Sequence, residues 1–187
     1  MNKPLSHVSA ASAQRGLTLI ELLISIGIAA VLMVGSFFGY RLIFTAKSQN
    51  EVRLLTQAGS CMVQSFSTRL DFTGANAQWA AEAGCFPERN IKGTGKKIQI
   101  IDAHGKEIKI ASAEGPMNEA NMAIEFTIPG QLKKEACIQT VMGLIPTVAR
   151  LTVNGKLVKQ FDGSLSMDAI APNCAQKTNS IVFDMTK

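Results

Sequence analysis

The sequence has few of the residues on which enzymatic and metal sites are usually built. It contains two histidines, His7 and His104, and none of its four cysteines forms a C-x-x-C pair. This composition argues against a zinc site, against thioredoxin-like redox chemistry and against a catalytic triad that contains histidine. We therefore expect no cofactor, no bound metal and no enzymatic activity.

Aromatic residues and surplus positive charge are also scarce. The chain has one Trp and one Tyr, and its net charge of +5 falls to +3 when Lys3 and Arg15, which precede Gly16, are not counted. A nucleic-acid surface normally combines a larger basic surplus with aromatic side chains on which bases stack. We expect no nucleic-acid partner.

Charge is missing altogether from Leu22 to Tyr40, a run of nineteen residues. At about 1.5 Å per residue, a helix of this length crosses the ~30 Å hydrocarbon core of a bilayer. Residues 1–16 before it are small and polar, with two basic and no acidic residues. We interpret them as a processing segment. A secretory signal fits poorly, because its cleavage site would fall among the bulky residues 36–41 at the carboxyl end of the run, and Glu21 would lie inside its apolar core.

At the front end of the apolar run, a short basic leader ends at Gly16, and Leu17-Thr18-Leu19-Ile20-Glu21 follows it. This pattern resembles the type IV prepilin signal. The resemblance implies that a prepilin peptidase cleaves between Gly16 and Leu17 and methylates the amine of Leu17. It also implies an inner-membrane precursor whose head lies in the periplasm. Many members of this family begin with Phe, and a start such as Leu17 is common in the type IVb branch.

Glu21 has two interpretations. A carboxylate near a helix end can reach the lipid headgroups, and near the amino end it also favours the positive end of the helix dipole. However, an ionisable residue inside a membrane segment costs roughly 2.5 to 3.5 kcal/mol on insertion scales and is normally retained because it has a partner. The resemblance implies such a partner, the Leu17 amine of a neighbouring subunit. Our hypothesis is that Glu21 is an assembly residue.

The helix is expected to continue beyond the membrane segment, because no proline occurs between Pro4 and Pro87. Apolar residues also recur on one helical face at spacings of three and four: Val52, Leu55, Gly59, Met62, Val63, Phe66 and Leu70. We predict one helix over 17–70, transmembrane over about 17–44, followed by a globular head over 71–187. Gly27, Gly35 and Gly39 are weak points in that helix.

In the head, apolar and polar residues alternate in several short segments, as is typical of strands, and one further stretch is rich in helix-forming residues. A connector with a short helix is expected over 71–84, and an exposed loop over 90–97. The predicted strands are 98–100, 108–110, 122–128, a hairpin over 150–159 and a last strand over 180–185. Pro129-Gly130 is expected to end the third strand, Asn154-Gly155 fits a type I′ turn, and the helix is expected over 131–142. Together these elements predict an α+β head.

The four cysteines are Cys61, Cys85, Cys137 and Cys174. Behind a membrane anchor with an exported carboxyl end, an even number of cysteines indicates disulfides in an oxidising compartment. Three pairings are open. We favour Cys137 with Cys174, which would tie the head helix to the loop before the last strand and contribute about 4 kcal/mol on the loop-entropy model. Cys61 with Cys85 would then attach the connector to the long helix.

The carboxyl-terminal region independently resembles the type IVb pilins, a group that includes bundle-forming, toxin-coregulated and conjugative thin-pilus pilins. The resemblance is carried by Leu132–Cys137, the later hairpin around Val153–Gly155, and Asn173-Cys174 ahead of the last strand. It implies the type IV pilin fold, in which a long N-terminal helix packs on an antiparallel β-sheet head. The second pair, Cys61 and Cys85, departs from the single disulfide that is usual in that family.

The resemblance implies a structural subunit of a type IVb pilus that polymerises with itself through its N-terminal helix. The implied partners are the prepilin peptidase, the inner-membrane assembly platform and, before assembly, the membrane, and the pilus itself is extracellular. The alternative is a minor pilin or a type II secretion pseudopilin. Glu21 disfavours a tip-initiating minor pilin, and the Cys pair near the carboxyl end disfavours a major pseudopilin.

Overall fold

The computed structural model describes the backbone of residues 19–187 and all of their side chains except those of residues 37–45, 96 and 131. Its first element is one long helix, α1 (Leu19–Ser65). The chain divides into two compact units, one that ends at Arg41 and one that covers Leu42–Lys187. Helix α1 contributes to both, so we call Leu19–Ser36 its apolar part and residues 42–65 its head part.

The apolar part of α1 is the one stretch of the described chain that is long and apolar enough to cross a membrane, judged by length and composition. None of its 18 residues is buried. Its two serines donate hydrogen bonds to backbone carbonyls one turn earlier, Ser25 Oγ to Glu21 O at 2.8 Å and Ser36 Oγ to Leu32 O at 2.7 Å. These bonds satisfy the hydroxyl donors within the helix, as an apolar environment requires.

The head part of α1 buries one stripe of side chains that continues into the following turn: Ser48, Glu51, Leu55, Ala58, Met62 and Phe66. Their spacing of three and four confirms the predicted helical face from Leu55 to Phe66. The prediction was wrong for Leu70, which is 93% exposed. Helix α1 ends at Ser65 and not near Leu70, so the turns that follow take Leu70 off the buried face.

The head contains one antiparallel sheet of seven strands in the order β1-β2-β3-β4-β7-β5-β6. The last strand of the chain therefore lies between β4 and β5, near the middle of the sheet. The strands are β1 (Ile91–Lys92), β2 (Gln99–Ile101), β3 (Glu107–Ala113), β4 (Ala123–Leu132), β5 (Arg150–Val153), β6 (Lys156–Lys159) and β7 (Asn179–Met185). This arrangement confirms the predicted α+β class.

Three shorter helices accompany the sheet: α2 (Ala77–Glu82), α3 (Lys134–Leu144) and α4 (Met167–Asn173). The side chain of Asn76 caps α2 by accepting a hydrogen bond from the Trp79 N–H at 2.8 Å. Helix α3 begins three residues later than the prediction, and α4 was not predicted. The expected loop over 90–97 contains the short strand β1 and one turn of 3₁₀ helix.

Strand β4 continues through Pro129 and Gly130, where the prediction had ended it. Its pairing with β7 shifts register between Ile128 and Leu132. A proline has no N–H to donate to the ladder and is tolerated in a strand at such an irregularity. The register shift therefore allows β4 to continue past Pro129, although a proline usually ends a strand.

The core lies between the head part of α1, helix α3 and one face of the sheet. Two fully buried phenylalanines on neighbouring strands, Phe126 and Phe183, stack with their ring centroids 5.0 Å apart. Phe66 packs against Trp79, with 4.3 Å between the ring centroids, and so brings α2 against the end of α1. Such aromatic pairs contribute specific geometry in addition to buried area.

Candidate functional site

Glu21 lies in the first turn of α1, as the first-turn carboxylate of that helix. Its apolar neighbours on the helix are half or more exposed, with 66% for Ile20 and 50% for Leu22. A carboxylate at this position lies at the positive end of the helix dipole, which favours its negative charge. The predicted cleavage site, Gly16 and Leu17, lies outside the described residues.

Small residues give the apolar part of α1 a face on which another helix can pack closely. A Cβ atom added at Gly27 or Gly35 would meet nothing within 4 Å. Ala30, Val31, Val34 and Gly35 line a shallow depression of about 400 Å³. In an apolar environment, such small residues allow the backbones of two helices to approach each other.

The head contains two disulfides, and no cysteine is free. Cys61 in α1 is bonded to Cys85 with a Cα–Cα distance of 5.5 Å, and Cys137 in α3 is bonded to Cys174 at the end of α4 with 5.7 Å. Of the three pairings that the sequence left open, the favoured one is confirmed. The first disulfide attaches the segment after α2 to α1, and the second attaches α4 to α3.

An amide network holds the loop after Cys174 in place. Asn154 has a positive φ of 52°, and its Nδ2 donates to the Asn173 carbonyl at 2.7 Å and to Asn179 Oδ1 at 2.9 Å. The fully buried Asn179 donates in turn to the Leu132 carbonyl at 2.8 Å. The turn between β5 and β6 is therefore bonded to both ends of the loop that the second disulfide anchors.

Glu51 is a buried carboxylate that the sequence interpretation missed. It is 1% exposed, and its Oε2 accepts a hydrogen bond at 2.8 Å from the Ala103 N–H in the turn between β2 and β3. Its Oε1 is buried and has no hydrogen-bond partner among the described residues. Burial raises the pKa of Glu51 to about 7; the Ala103 hydrogen bond lowers it, and the nearby Asp102 carboxylate raises it.

The turn that Glu51 holds is itself built around a buried carboxylate. Asp102 is 6% exposed, and its Oδ1 accepts hydrogen bonds from the N–H groups of His104 at 2.8 Å and Lys106 at 2.7 Å. The sequence signal for Glu51 is its position four residues before Leu55, on the apolar stripe of α1. Its partner, however, is a backbone N–H fifty-two residues away, which no local pattern reveals.

A third buried carboxylate, Asp184, connects β5 to β7. Arg150 Nε donates a hydrogen bond to Asp184 Oδ2, and the Arg150 guanidinium also lies 4.9 Å from the centroid of the Phe161 ring. Burial raises the pKa of Asp184 to about 6, against the lowering effect of Arg150. Within the described residues, no group of three or more His, Cys, Asp or Glu side chains is placed to hold a metal ion.

A groove runs between the head part of α1 and helix α3. It has a volume of about 640 Å³, and its lining includes Val52, Arg53, Thr56, Ile138, Met142 and Gly143. The helices approach closely at Gly143, where an added Cβ would lie 2.8 Å from both methyl carbons of Val52. Most of the lining is apolar, and the exposed Arg53 contributes a positive charge.

Two family profiles match the sequence. The profile described as "Prokaryotic N-terminal methylation motif" matches residues 11–37, and the profile described as "PilS N terminal" matches residues 45–186. The second match covers more than half of the chain and includes the whole sheet. No curated protein matches the chain significantly by sequence.

Solved structures share the fold of the head. A crystal structure of a type IV b pilin from Salmonella typhi superposes with a TM-score of 0.58 at 15% identity, over 74% of this chain and 99% of that one. TcpA, a type IV pilin from the El Tor biotype of Vibrio cholerae, superposes with a TM-score of 0.59 at 13% identity, over 75% of this chain and 99% of that one. At these identities, the likeness establishes a common architecture.

Proposed function

This chain belongs to the family described as PilS N terminal, and we propose that this type IV pilin-like protein is a structural subunit of a type IVb pilus. The proposal is based mainly on one observation. The apolar part of α1 has no buried residue in the chain, although it continues directly into a head with the type IV pilin fold. An apolar helix of this length needs either lipid or other apolar helices around it. In a subunit that moves from a membrane into a filament, this helix is surrounded first by lipid and then by the apolar helices of other subunits.

The proposed precursor is anchored in the inner membrane by residues 17–44, with the head over 71–187 in the periplasm. A prepilin peptidase removes residues 1–16 by cleaving after Gly16 and methylates the amine of Leu17. The match of the N-terminal methylation motif over residues 11–37 supports this processing. The assembly platform of the inner membrane then transfers the subunit into an extracellular pilus.

Glu21 is proposed to set the register of subunits in that filament. In an apolar filament core, its carboxylate and the Leu17 amine of a neighbouring subunit attract strongly, because a low dielectric constant weakens their screening. Each of these charges alone is costly in such surroundings, so a subunit placed out of register is disfavoured. The position of Glu21 in the first turn of α1 supports this role.

The alternative is a minor pilin or a type II secretion pseudopilin, which would prime assembly or move cargo. The fold likeness to solved type IVb pilins and the disulfide between Cys137 and Cys174 favour the pilus subunit. Copy number separates the two roles. Sheared surface filaments should contain this chain as their main component, whereas a trace amount would identify a minor subunit.

Mass spectrometry of the same filaments under non-reducing conditions tests the processing. The expected species begins at Leu17, carries one methyl group on its amine and retains both disulfides. A chain that still contains residues 1–16 in the filament would contradict the proposed cleavage.

Replacement of Glu21 by Ala should lower the yield of surface filaments by at least about tenfold when the variant is the only subunit, because the proposed register contact is lost. The amount of chain in the membrane should not change. Electron microscopy and the sheared-filament yield measure the effect. Glu82→Ala, which removes an exposed carboxylate from α2, is the matched control and should leave the yield unchanged. Normal pili made of the Glu21→Ala chain would refute the assembly role.

A further inference from the structure

The two ends of strand β3 mark opposite ends of the head. The turn before β3 is bound by Glu51 through the Ala103 N–H, close to the groove between α1 and α3. The loop after β3 lies beside the carboxyl end of α1, where the Phe72 N–H donates to the Asn121 carbonyl at 2.7 Å. Seven residues of extended strand separate these points by about 24 Å.

The loop after β3, residues 114–121, presents one large apolar side chain to solvent on a tightly bonded backbone. Met117 is 82% exposed. Its own N–H donates to Glu119 Oε2 at 3.0 Å, and the Gly115 N–H donates to the Glu119 carbonyl at 2.9 Å. These hydrogen bonds constrain the backbone of the loop, while the Met117 side chain makes little contact with the head. We call it the Met117 loop.

The Met117 loop is acidic. It contains Glu114 and Glu119, and no basic residue occurs between Lys109 and Lys133. Lys187 and Arg69, two cations near the carboxyl end of α1, form hydrogen bonds outside the loop: Lys187 Nζ donates to the Arg69 carbonyl, and Arg69 Nη1 donates to the Thr73 carbonyl at 3.4 Å. The charge that the loop offers to another molecule is negative.

The groove between α1 and α3 is complementary to the Met117 loop, because it is mostly apolar and contains the positive charge of Arg53. Met142 in its lining is 46% exposed, and Ile138 and Val52 are half-buried. Among the described residues, no carboxylate forms an ion pair with the exposed Arg53. A methionine side chain adapts to an irregular apolar surface of this kind, and an acidic loop places carboxylates near the guanidinium.

We propose that the Met117 loop of one subunit docks into the groove between α1 and α3 of another copy of the same chain. The proposal rests on the pilus-subunit function and names one contact surface between heads. Because the loop and the groove lie at opposite ends of the head, the contact joins different surfaces of identical subunits. Such a heterologous contact does not close on itself in a pair and propagates into an open filament.

Cysteine pairs test the contact in the assembled filament. The pair Met117→Cys with Met142→Cys places one thiol on each side of it, and the four native cysteines are already in disulfides. Oxidation of sheared filaments should give a ladder of covalent multimers on a non-reducing gel. The matched control is Leu157→Cys with Met142→Cys, because Leu157 is 43% exposed and lies on the edge strand β6, four positions from β3 in the sheet; this control pair should stay monomeric.

Filaments of the Met117/Met142 pair that remain monomeric after oxidation would overturn the contact and leave the pilus proposal intact. A ladder in the Leu157 control, or a band that joins the chain to a different protein, would also overturn it. If the wild-type chain forms no filaments, the proposed function fails and this contact fails with it.

A charge exchange gives an independent result that does not need the cysteine variants to assemble. Arg53→Glu should lower the filament yield about tenfold, and adding Glu114→Arg to the same chain should restore it to within about twofold. Arg89→Glu, at an exposed cation away from the groove, should have no effect. A double variant that is no better than Arg53→Glu alone, with both disulfides intact, would contradict the docking.

Discussion

Helix α1 carries leucines in both of its parts. Leu23, in the apolar part, is 59% exposed, whereas Leu55, in the head part, is fully buried. The backbone is helical at both positions, and both residues are good helix formers. The two parts therefore differ not in local conformation but in whether the chain supplies its own partner for the apolar surface.

That difference separates two kinds of stability within one helix. The head part is stabilised by contacts within the chain, so its contribution belongs to the folding of the head. The apolar part has its surface still available, so its burial contributes to insertion into lipid or to association with other helices. A substitution in one part should change folding, and a similar substitution in the other should change assembly.

The largest contrast is expected for leucine truncation. Leu55→Ala removes a fully buried side chain and should lower the free energy of unfolding of the head by about 4 kcal/mol. Leu23→Ala should leave that value unchanged, because Leu23 is 59% exposed and is not part of the buried core of the head. Urea unfolding of the detergent-solubilised chain with its disulfides intact measures both. Equal losses from the two variants would contradict this division of stability between the two parts of α1.

A smaller contrast is expected for the two glutamates of α1. Glu51 has its pKa raised from 4.5 to about 7, so the folded head keeps a proton that the unfolded chain has already released between these values. The stability of the head should therefore fall as the pH rises through this range, by about 3 kcal/mol in total from this group. Asp184, whose pKa is raised to about 6, adds a change of the same sign.

Glu51→Gln should remove the loss of stability between about pH 6 and 7, which lies above the pKa of Asp184, whereas Glu21→Gln should leave the pH dependence of the head as in the wild type. Unfolding curves at about pH 5, 6, 7 and 8 give the slopes directly. A wild-type head that gains stability over this range would contradict the cause assigned to Glu51.

The smallest contrast is expected for glycines. In Gly143→Ala, the new methyl group would lie 2.8 Å from the methyl carbons of Val52, and the resulting strain exceeds the gain in helix propensity. The head should lose about 1 kcal/mol. Gly35→Ala, where nothing lies within 4 Å, should not change the unfolding of the head and so serves as its control. Thermal unfolding of both variants, followed by circular dichroism, would detect the difference.

Local signals in the sequence identified those elements whose conformation is decided by neighbouring residues. The hairpin at Asn154-Gly155 was predicted from its turn residues, and both adopt positive φ, 52° and 75°. The helical face from Leu55 to Phe66 followed from spacing alone. Helix α4 gave no such signal, because it is seven residues long and contains Pro172 in its last turn.

Features that depend on distant parts of the chain could not be predicted in this way. The burial of Glu51 depends on the turn after β2, and the passage of β4 through Pro129 depends on a register shift against β7. The close approach of α1 and α3 beside the groove depends on Gly143, because an added Cβ there would lie 2.8 Å from the methyl carbons of Val52. In each case the deciding contact joins residues far apart in sequence, and local periodicity carries no information about it.

The position of β7 links the folding of the head to the completeness of its synthesis. Strand β7 is the last of the seven strands in chain order, yet it pairs with β4 on one side and with β5 on the other. Without β7, no strand pairing joins β1 to β4 with the hairpin β5–β6. A chain that stops early cannot close the sheet, so premature termination yields a head that proteases can remove before it is used.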